Sequence, residues 1–223
     1  MEKIKTSGFE ASLFGNGKTN VIFLTDNESA EKIFSLLDAE KEQVSSFVCI
    51  TAISGINWND DLTPWKAPGL HGAEFGGKAD EFLSRLTGEI IPSIKRERHL
   101  AEKPYIAGYS LAGLFALYAV TKSDAFRGAA SVSGSLWYDG FIDYLQSADI
   151  HAESVYFSLG DKESHSRSER LAAVEAATEK ACQITRSRGI RTTFVMNRGG
   201  HFVDSEKRCA DAIRWLTAAH IDG

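Results

Sequence analysis

The chain has 223 residues, 43% apolar and 25% charged, an ordinary composition for folded protein, and its length suits one α/β domain over residues 1–223 better than two small ones. A net charge of −5 and a pI near 5.7 argue against a surface that tracks phosphates, so no nucleic-acid partner is expected; the most basic stretch, Lys95-Arg96-Glu97-Arg98-His99, is broken by an acid and reads as a solvated helix end. No apolar run approaches the roughly 20 residues of a membrane span. The opening Met1-Glu2-Lys3-Ile4-Lys5-Thr6-Ser7 lacks the features of a secretory signal, so the expected address is cytoplasmic, away from membranes.

In chain order, Phe9 to Phe14, the turn Gly15-Asn16-Gly17 and Thr19 to Thr25 read as a hairpin, because Asn-Gly suits the positive φ angles of tight turns. Ser29 to Glu40 carries Ile33, Phe34, Leu36 and Leu37 at helical spacing, and Val44 to Ile53 is β-branched and apolar enough for a buried strand. A loop with Trp58, Pro64, Trp65 and Pro68 follows. Ala79 to His99 presents Phe82, Leu83, Leu86, Ile90, Ile91 and Ile94 on one helical stripe, with Pro92 expected to kink or restart it.

Beyond that the pattern alternates. Strands are predicted at Pro104 to Ala107, Gly128 to Val132, Ser154 to Leu159 and Arg191 to Met196. Helices are predicted at Leu111 to Thr121, Phe141 to Gln146, Ser168 to Arg188 and Asp204 to Ala219, with Trp215 in the core. Such alternation implies a mostly parallel central sheet with helices on both faces, the opening hairpin giving an antiparallel N-terminal edge. Reactive groups in such sheets gather at the carboxyl ends of the strands.

Between the Pro104 strand and the Leu111 helix stands Gly108-Tyr109-Ser110-Leu111-Ala112-Gly113, the nucleophile-elbow pattern with Ala112 in place of its second glycine. The demand is steric: a strand that reverses abruptly into a helix leaves no room for large side chains two residues either side of the serine. By composition, Gly-x-Ser-x-Gly/Ala arises in about one chain of this length in six, so the strand-to-helix setting carries the argument. The alternative is a serine that only caps a buried helix. In the elbow reading, the amino end of the helix and the Leu111 N–H face the oxyanion that develops on the substrate.

A serine hydroxyl needs a base, and histidine titrates in the right range. His201, in Asn197-Arg198-Gly199-Gly200-His201-Phe202, follows the last predicted strand and is the candidate. His151 and His220 read as surface residues, His165 as a surface residue beside the acids with substrate contact as a second possibility, and His71 and His99 as loop and helix-end residues. The acid must hold the imidazole tautomer, and both Asp161 and Glu163, in the turn Gly160-Asp161-Lys162-Glu163, are candidates; Asp161 also suits a turn-forming role. Asp204 reads as the N-cap of the final helix.

Taken together, these pieces resemble the esterase family of α/β-hydrolases that includes esterase D, enterobactin-type siderophore esterases and, more distantly, mycolyltransferases. The similarity runs through Thr63-Pro64-Trp65, Gly76-Gly77-Lys78-Ala79-Asp80, Glu89-Ile90-Ile91-Pro92, the elbow, Ser131-Val132-Ser133-Gly134-Ser135-Leu136-Trp137, Ser158-Leu159-Gly160-Asp161-Lys162-Glu163 and Gly199-Gly200-His201-Phe202. It implies an α/β-hydrolase fold and an ester-cleaving Ser-His-acid site. In these relatives the acid stands three residues after the glycine ending its strand, which selects Glu163, with Asp161 second. The second oxyanion donor falls in Thr25-Asp26-Asn27-Glu28, where Asn27 or Glu28 is selected although the family's usual glycine is missing.

Gly72-Ala73-Glu74-Phe75-Gly76-Gly77-Lys78 imitates a phosphate-binding loop, but Ala79 offers no hydroxyl to magnesium and no strand precedes it. It reads as a loop near the site entrance. Trp58, Trp65, Trp137 and Tyr109 are candidate walls of an acyl or alcohol pocket, with packing under loops as the alternative for the tryptophans. Little chain is left for a large lid. Cys49, Cys182 and Cys209 are widely spaced and read as reduced thiols, and no metal or organic cofactor is implied. The expected function is hydrolysis of a small or siderophore-like carboxylic ester, with acyl transfer by the same residues, or a non-catalytic binding domain on this fold, as alternatives.

Overall fold

The computed structural model describes residues 2–6, 9–39, 44–70, 72–100 and 102–218. The expectations for His71 and His220, for the opening residues Met1 and Ser7, and for the helix ends at Glu40 and Ala219 lie outside these. Strands β1 (Glu2–Thr6), β2 (Phe9–Phe14) and β3 (Thr19–Leu24) lead into α1 (Asn27–Asp38), whose N-cap Asp26 accepts the Ser29 N–H. One helical turn, α2 (Val44–Phe47), runs directly into β4 (Val48–Ser54). Next come α3 (Trp58–Asp61) and a two-stranded ribbon, β5 (Lys66–Pro68) and β6 (Glu74–Gly76).

The long apolar stripe forms α4 (Ala79–Arg85), a π turn at Leu86–Ile90 and α5 (Ile91–Arg98). Pro92 has no N–H to donate, and the wide turn just before it absorbs that defect while Leu86, Ile90, Ile91 and Ile94 stay buried. Alternation then continues through β7 (Tyr105–Tyr109), α6 (Leu111–Lys122), β8 (Gly128–Val132), α7 (Phe141–Ser147), β9 (Ser154–Gly160), α8 (Glu169–Ala172), α9 (Val174–Ser187), β10 (Arg191–Asn197) and α10 (Ser205–Thr217).

The main sheet has eight strands in the order β1-β2-β4-β3-β7-β8-β9-β10, antiparallel at β1, β2 and β4 and parallel from β4 onward. Period-two alternation within its strands feeds two cores. Ile22, Leu24, Ile106, Val155 and Phe157 face one side, under α4, α5, α6 and α9. Val21, Phe23, Ala107, Ala130 and Tyr156 face the other, under α1 and α10. This is the α/β-hydrolase arrangement, with helices on both faces and an antiparallel N-terminal edge. No helix among the described residues is long and apolar enough to cross a membrane.

Three local expectations need correction, the first being the strand expected from Val44, which begins only at Val48 because Val44–Phe47 forms a helical turn. The Gly15-Asn16-Gly17 turn does reverse the chain, but β2 and β3 are not a hairpin: β4 lies between them, and the true hairpin pairs β1 with β2. Gly17 crosses the start of β4 so closely that a Cβ there would fall 1.9 Å from the Phe47 carbonyl carbon, a crossing no local turn rule anticipates. The helix expected over Ser168 to Arg188 breaks at Ala173. Asp204 is the N-cap residue of α10, as expected, though with φ 53° and no side-chain capping bond, and Trp215 packs against the core while remaining partly buried, with the Arg191 guanidinium 4.0 Å over its ring.

Candidate active site

Strand β7 delivers Ser110 to the carboxyl end of the sheet and α6 leaves from it at once. Ser110 has φ 60° and ψ −122°, a conformation that costs a residue with a Cβ roughly 1–3 kcal/mol. Its surroundings hold it there: the Ser110 N–H donates to the Val132 carbonyl at 3.1 Å, and its own carbonyl accepts from Gly113, Leu114 and Ser135. Gly108 is required by contact, since a Cβ there would lie 2.4 Å from the Ala112 backbone and 2.5 Å from its methyl. Gly108→Ala is therefore expected to lower the urea midpoint by the equivalent of about 1–3 kcal/mol, with slower modification of Ser110 in the molecules that remain folded. A variant as stable and as reactive as wild type would contradict this.

The Ser110 Oγ lies 3.1 Å from His201 Nε2, and His201 Nδ1 lies 2.7 Å from Glu163 Oε2. The other Glu163 oxygen accepts from the Gly160 N–H at 2.7 Å, Ser133 Oγ at 2.8 Å and Arg208 Nη1 at 3.0 Å. Burial works against the Glu163 charge, but hydrogen bonds from His201, the Gly160 N–H and Ser133 outweigh it and hold its carboxyl below the usual carboxylate range. Asp161 is exposed and instead accepts the Gly199 N–H at 2.7 Å. It ties down the loop that carries His201 and does not meet the imidazole.

Two cavities flank Ser110 and His201, with volumes of about 410 and 570 Å³, within the range of small-molecule sites. The smaller is lined by Trp58, Tyr109, Thr25, Asp26, Ile33 and Glu206. The larger is lined by Trp137, Ser135, Leu70, His165, Leu171 and Val174, the helix break at Ala173 lying between the last two. Phe202 borders both and is 90% exposed, its ring edge-on to the imidazole. The Tyr109 hydroxyl donates to the His201 carbonyl, and burial pushes its pKa up to about 12.

Not every predicted residue arrives there. Trp65 stays out of both cavities: its indole N–H donates to the Asp139 carbonyl at 2.9 Å and its rings pack edge-on against Tyr138 and Tyr144. Asn27 and Glu28 line neither cavity. The Asn27 carboxamide donates to Glu10, and both residues belong to the first turn of α1, which starts at Asn27. Thr25 and Asp26 are the residues of that loop at the cavity wall. His99 and His151 are exposed, as is His165, which borders the larger cavity. The imitation phosphate loop is in part strand β6, and its Lys78 pairs with Asp60 at 2.9 Å.

Sequence reasoning missed Ser133 and Arg208. Arg208 is 2% exposed, and it stands on the buried stripe of α10 with Ala212 and Leu216, four and eight residues on. A lone arginine on an apolar helical stripe was the available signal.

A strand-turn-helix serine, touched by a histidine that is touched in turn by a carboxylate, on this sheet order, is the arrangement of the α/β-hydrolases. The family model described as "Putative esterase" matches residues 12–204, and the chain belongs to that family. It is 26% identical over 224 residues to the uncharacterized protein YbbA of Bacillus subtilis (strain 168), covering 95% of this chain and 86% of that one. Among solved structures it is similar to an IroE-like serine hydrolase from Shewanella oneidensis, with a TM-score of 0.76 and 18% identity, over 93% of this chain and 74% of that chain. It is also similar to the siderophore hydrolase EstA from Aspergillus nidulans, with a TM-score of 0.71 and 18% identity, over 98% and 93% of the two chains.

Proposed function

We propose that the protein is a serine carboxylic-ester hydrolase that works through an acyl-enzyme on Ser110. The observation that carries this is the unbroken line of contacts from Ser110 Oγ to His201 at 3.1 Å and on to Glu163 at 2.7 Å, starting at a strained elbow. His201 Nε2 takes the Ser110 proton as the Oγ attacks the ester carbonyl, and Glu163 holds the other ring nitrogen as donor and stabilises the imidazolium. The oxyanion meets the Leu111 N–H at the amino end of α6. The second donor is assigned to a backbone N–H at Thr25 or Asp26, residues that line the smaller cavity together with Ser110. The proton then passes from His201 to the departing alcohol oxygen. Water, deprotonated by the same imidazole, releases the acid and restores Ser110.

The two cavities, both of which reach Ser110 and His201, support a small or siderophore-like ester with its acyl and alcohol parts divided between them. The similar Aspergillus nidulans protein is a siderophore hydrolase, which supports the same substrate class.

A fluorophosphonate is expected to add covalently to Ser110, at a rate that falls as pH is lowered. Because the Glu163 carboxyl is held below the usual carboxylate range, that carboxylate is already ionised where imidazoles ordinarily titrate. The acid limb should therefore reflect a single ionisation, with unit slope. With Tyr109 at about 12, that phenol adds no alkaline limb in the ordinary range. Folded protein with unmodified Ser110, or a flat profile from about pH 5 to 8, would contradict the reading.

A further inference from the structure

A guanidinium that is 2% exposed is costly to hold inside a protein, and a buried pair such as Arg208–Glu163 can as a whole often be replaced by apolar side chains at no loss of stability, although removing one partner strands the other. Fold stability alone therefore does not account for Arg208. Its contacts converge on the site. Nη1 donates to Glu163 Oε1 at 3.0 Å and to Ser133 Oγ at 3.1 Å, while Nη2 donates to the carbonyls of Arg198 at 3.2 Å and Gly200 at 3.1 Å. The Gly200 carbonyl belongs to the peptide bond that enters His201. Gly199, beside it, has φ +104°, a conformation that favours glycine, and neither Gly199 nor Gly200 has a side chain with which to pack this loop in place.

We propose that Arg208 is a positioning residue whose planar fork locks the Glu163 carboxylate to the backbone on either side of the glycine pair, holding acid and base in line with Ser110. This rests on the reading of Ser110, His201 and Glu163 as the catalytic relay. A lysine, with a single ammonium, cannot reach a carboxylate and two carbonyls in one plane. The positive charge also has an electrostatic effect. It partly neutralises Glu163, so its removal leaves the full carboxylate charge facing the imidazole.

The other ionisable groups around His201 lie on several elements. Tyr109 comes from the end of β7, Lys162 and His165 from the turn after β9, Asp26 from the loop before α1, and Glu206 and Cys209 from α10. All of them are kept in the variants below, so a change in the acid limb reports Arg208.

The test uses the full chain as wild type, Arg208→Met, Arg208→Gln and Arg208→Lys. Active sites are counted by fluorophosphonate, and hydrolysis of a short-chain aryl ester is followed from about pH 5 to 9. The Met and Gln variants should lose about 10- to 100-fold in kcat per titrated serine, keep KM within about threefold, and move the acid limb up by about half a unit to one unit. The Lys variant should keep the wild-type limb and recover part of kcat. If Arg208→Met does not fold, Arg208→Gln carries the same test. A neutral variant with kcat within about twofold of wild type, or neutral and Lys variants that fall alike with no shift in either limb, would overturn the proposal. Wild-type protein that fails to label on Ser110 would instead overturn the relay reading on which it rests.

Discussion

Ser110→Ala is expected to lower kcat on a short-chain aryl ester by about 10⁴- to 10⁶-fold, with KM changed little, and to abolish fluorophosphonate addition. Removing the Oγ removes the bond-forming atom. The remaining acceleration comes from oxyanion donors and binding, which in serine hydrolases leave about 10³- to 10⁴-fold over water. Stability should hardly change, because alanine keeps the Cβ that makes φ 60° unfavourable. Ser110→Gly relieves that strain and should be the more stable variant, by about 1 kcal/mol. A Ser110→Ala protein retaining more than about 1% of wild-type kcat would remove Ser110 as nucleophile.

Glu163→Gln should lower kcat by about 10³- to 10⁴-fold, the size of effect seen when a triad carboxylate becomes an amide and the imidazole tautomer is no longer enforced. The companion change, Asp161→Asn, should stay within about threefold of wild type, because an amide oxygen can still accept the Gly199 N–H. The reverse pair of results would transfer the role to Asp161. Stability also separates the two states of Glu163. Its folded pKa is depressed, so the stabilisation it confers is fully present above its unfolded value near ~4.3 and is lost as pH falls through the lower folded value. Wild type should consequently lose denaturation midpoint more steeply below about pH 4 than Glu163→Gln, which has no such group to protonate.

Much of this molecule was readable in its residues, because the deciding physics is local. Strands of alternating apolar residues and helices with one apolar stripe identify themselves, and Gly108, Ser110 and Ala112 declare an elbow through the space they leave free. The choice between Asp161 and Glu163 is different in kind. Both suit the turn after β9, resemblance favoured Glu163, and the 2.7 Å contact with His201 is a matter of geometry. What went unread depends on distant partners. The reversal at Gly15 to Gly17 was visible, yet that β4 would enter between its arms was not. Trp65 looked like a pocket wall because tryptophans in loops often are, and its neighbours Tyr138 and Tyr144 come from more than 70 residues away. Asn27 and Glu28, selected by resemblance for the oxyanion site, fall in the first turn of α1 and line neither cavity. Arg208 was visible only as an anomaly on an apolar stripe.

The clamp on Glu163 and the His201 loop comes from α10, the last described element of the chain. During synthesis, which proceeds at roughly 5–20 residues per second, the elbow and the acid leave the ribosome well before this helix does. A nascent chain can thus pair most of its sheet while Glu163 still lacks this clamp. On the proposed relay, full activity toward esters is expected only once α10 has docked across β7, β8 and β9, so the emerging polypeptide should be a weaker catalyst than the assembled molecule.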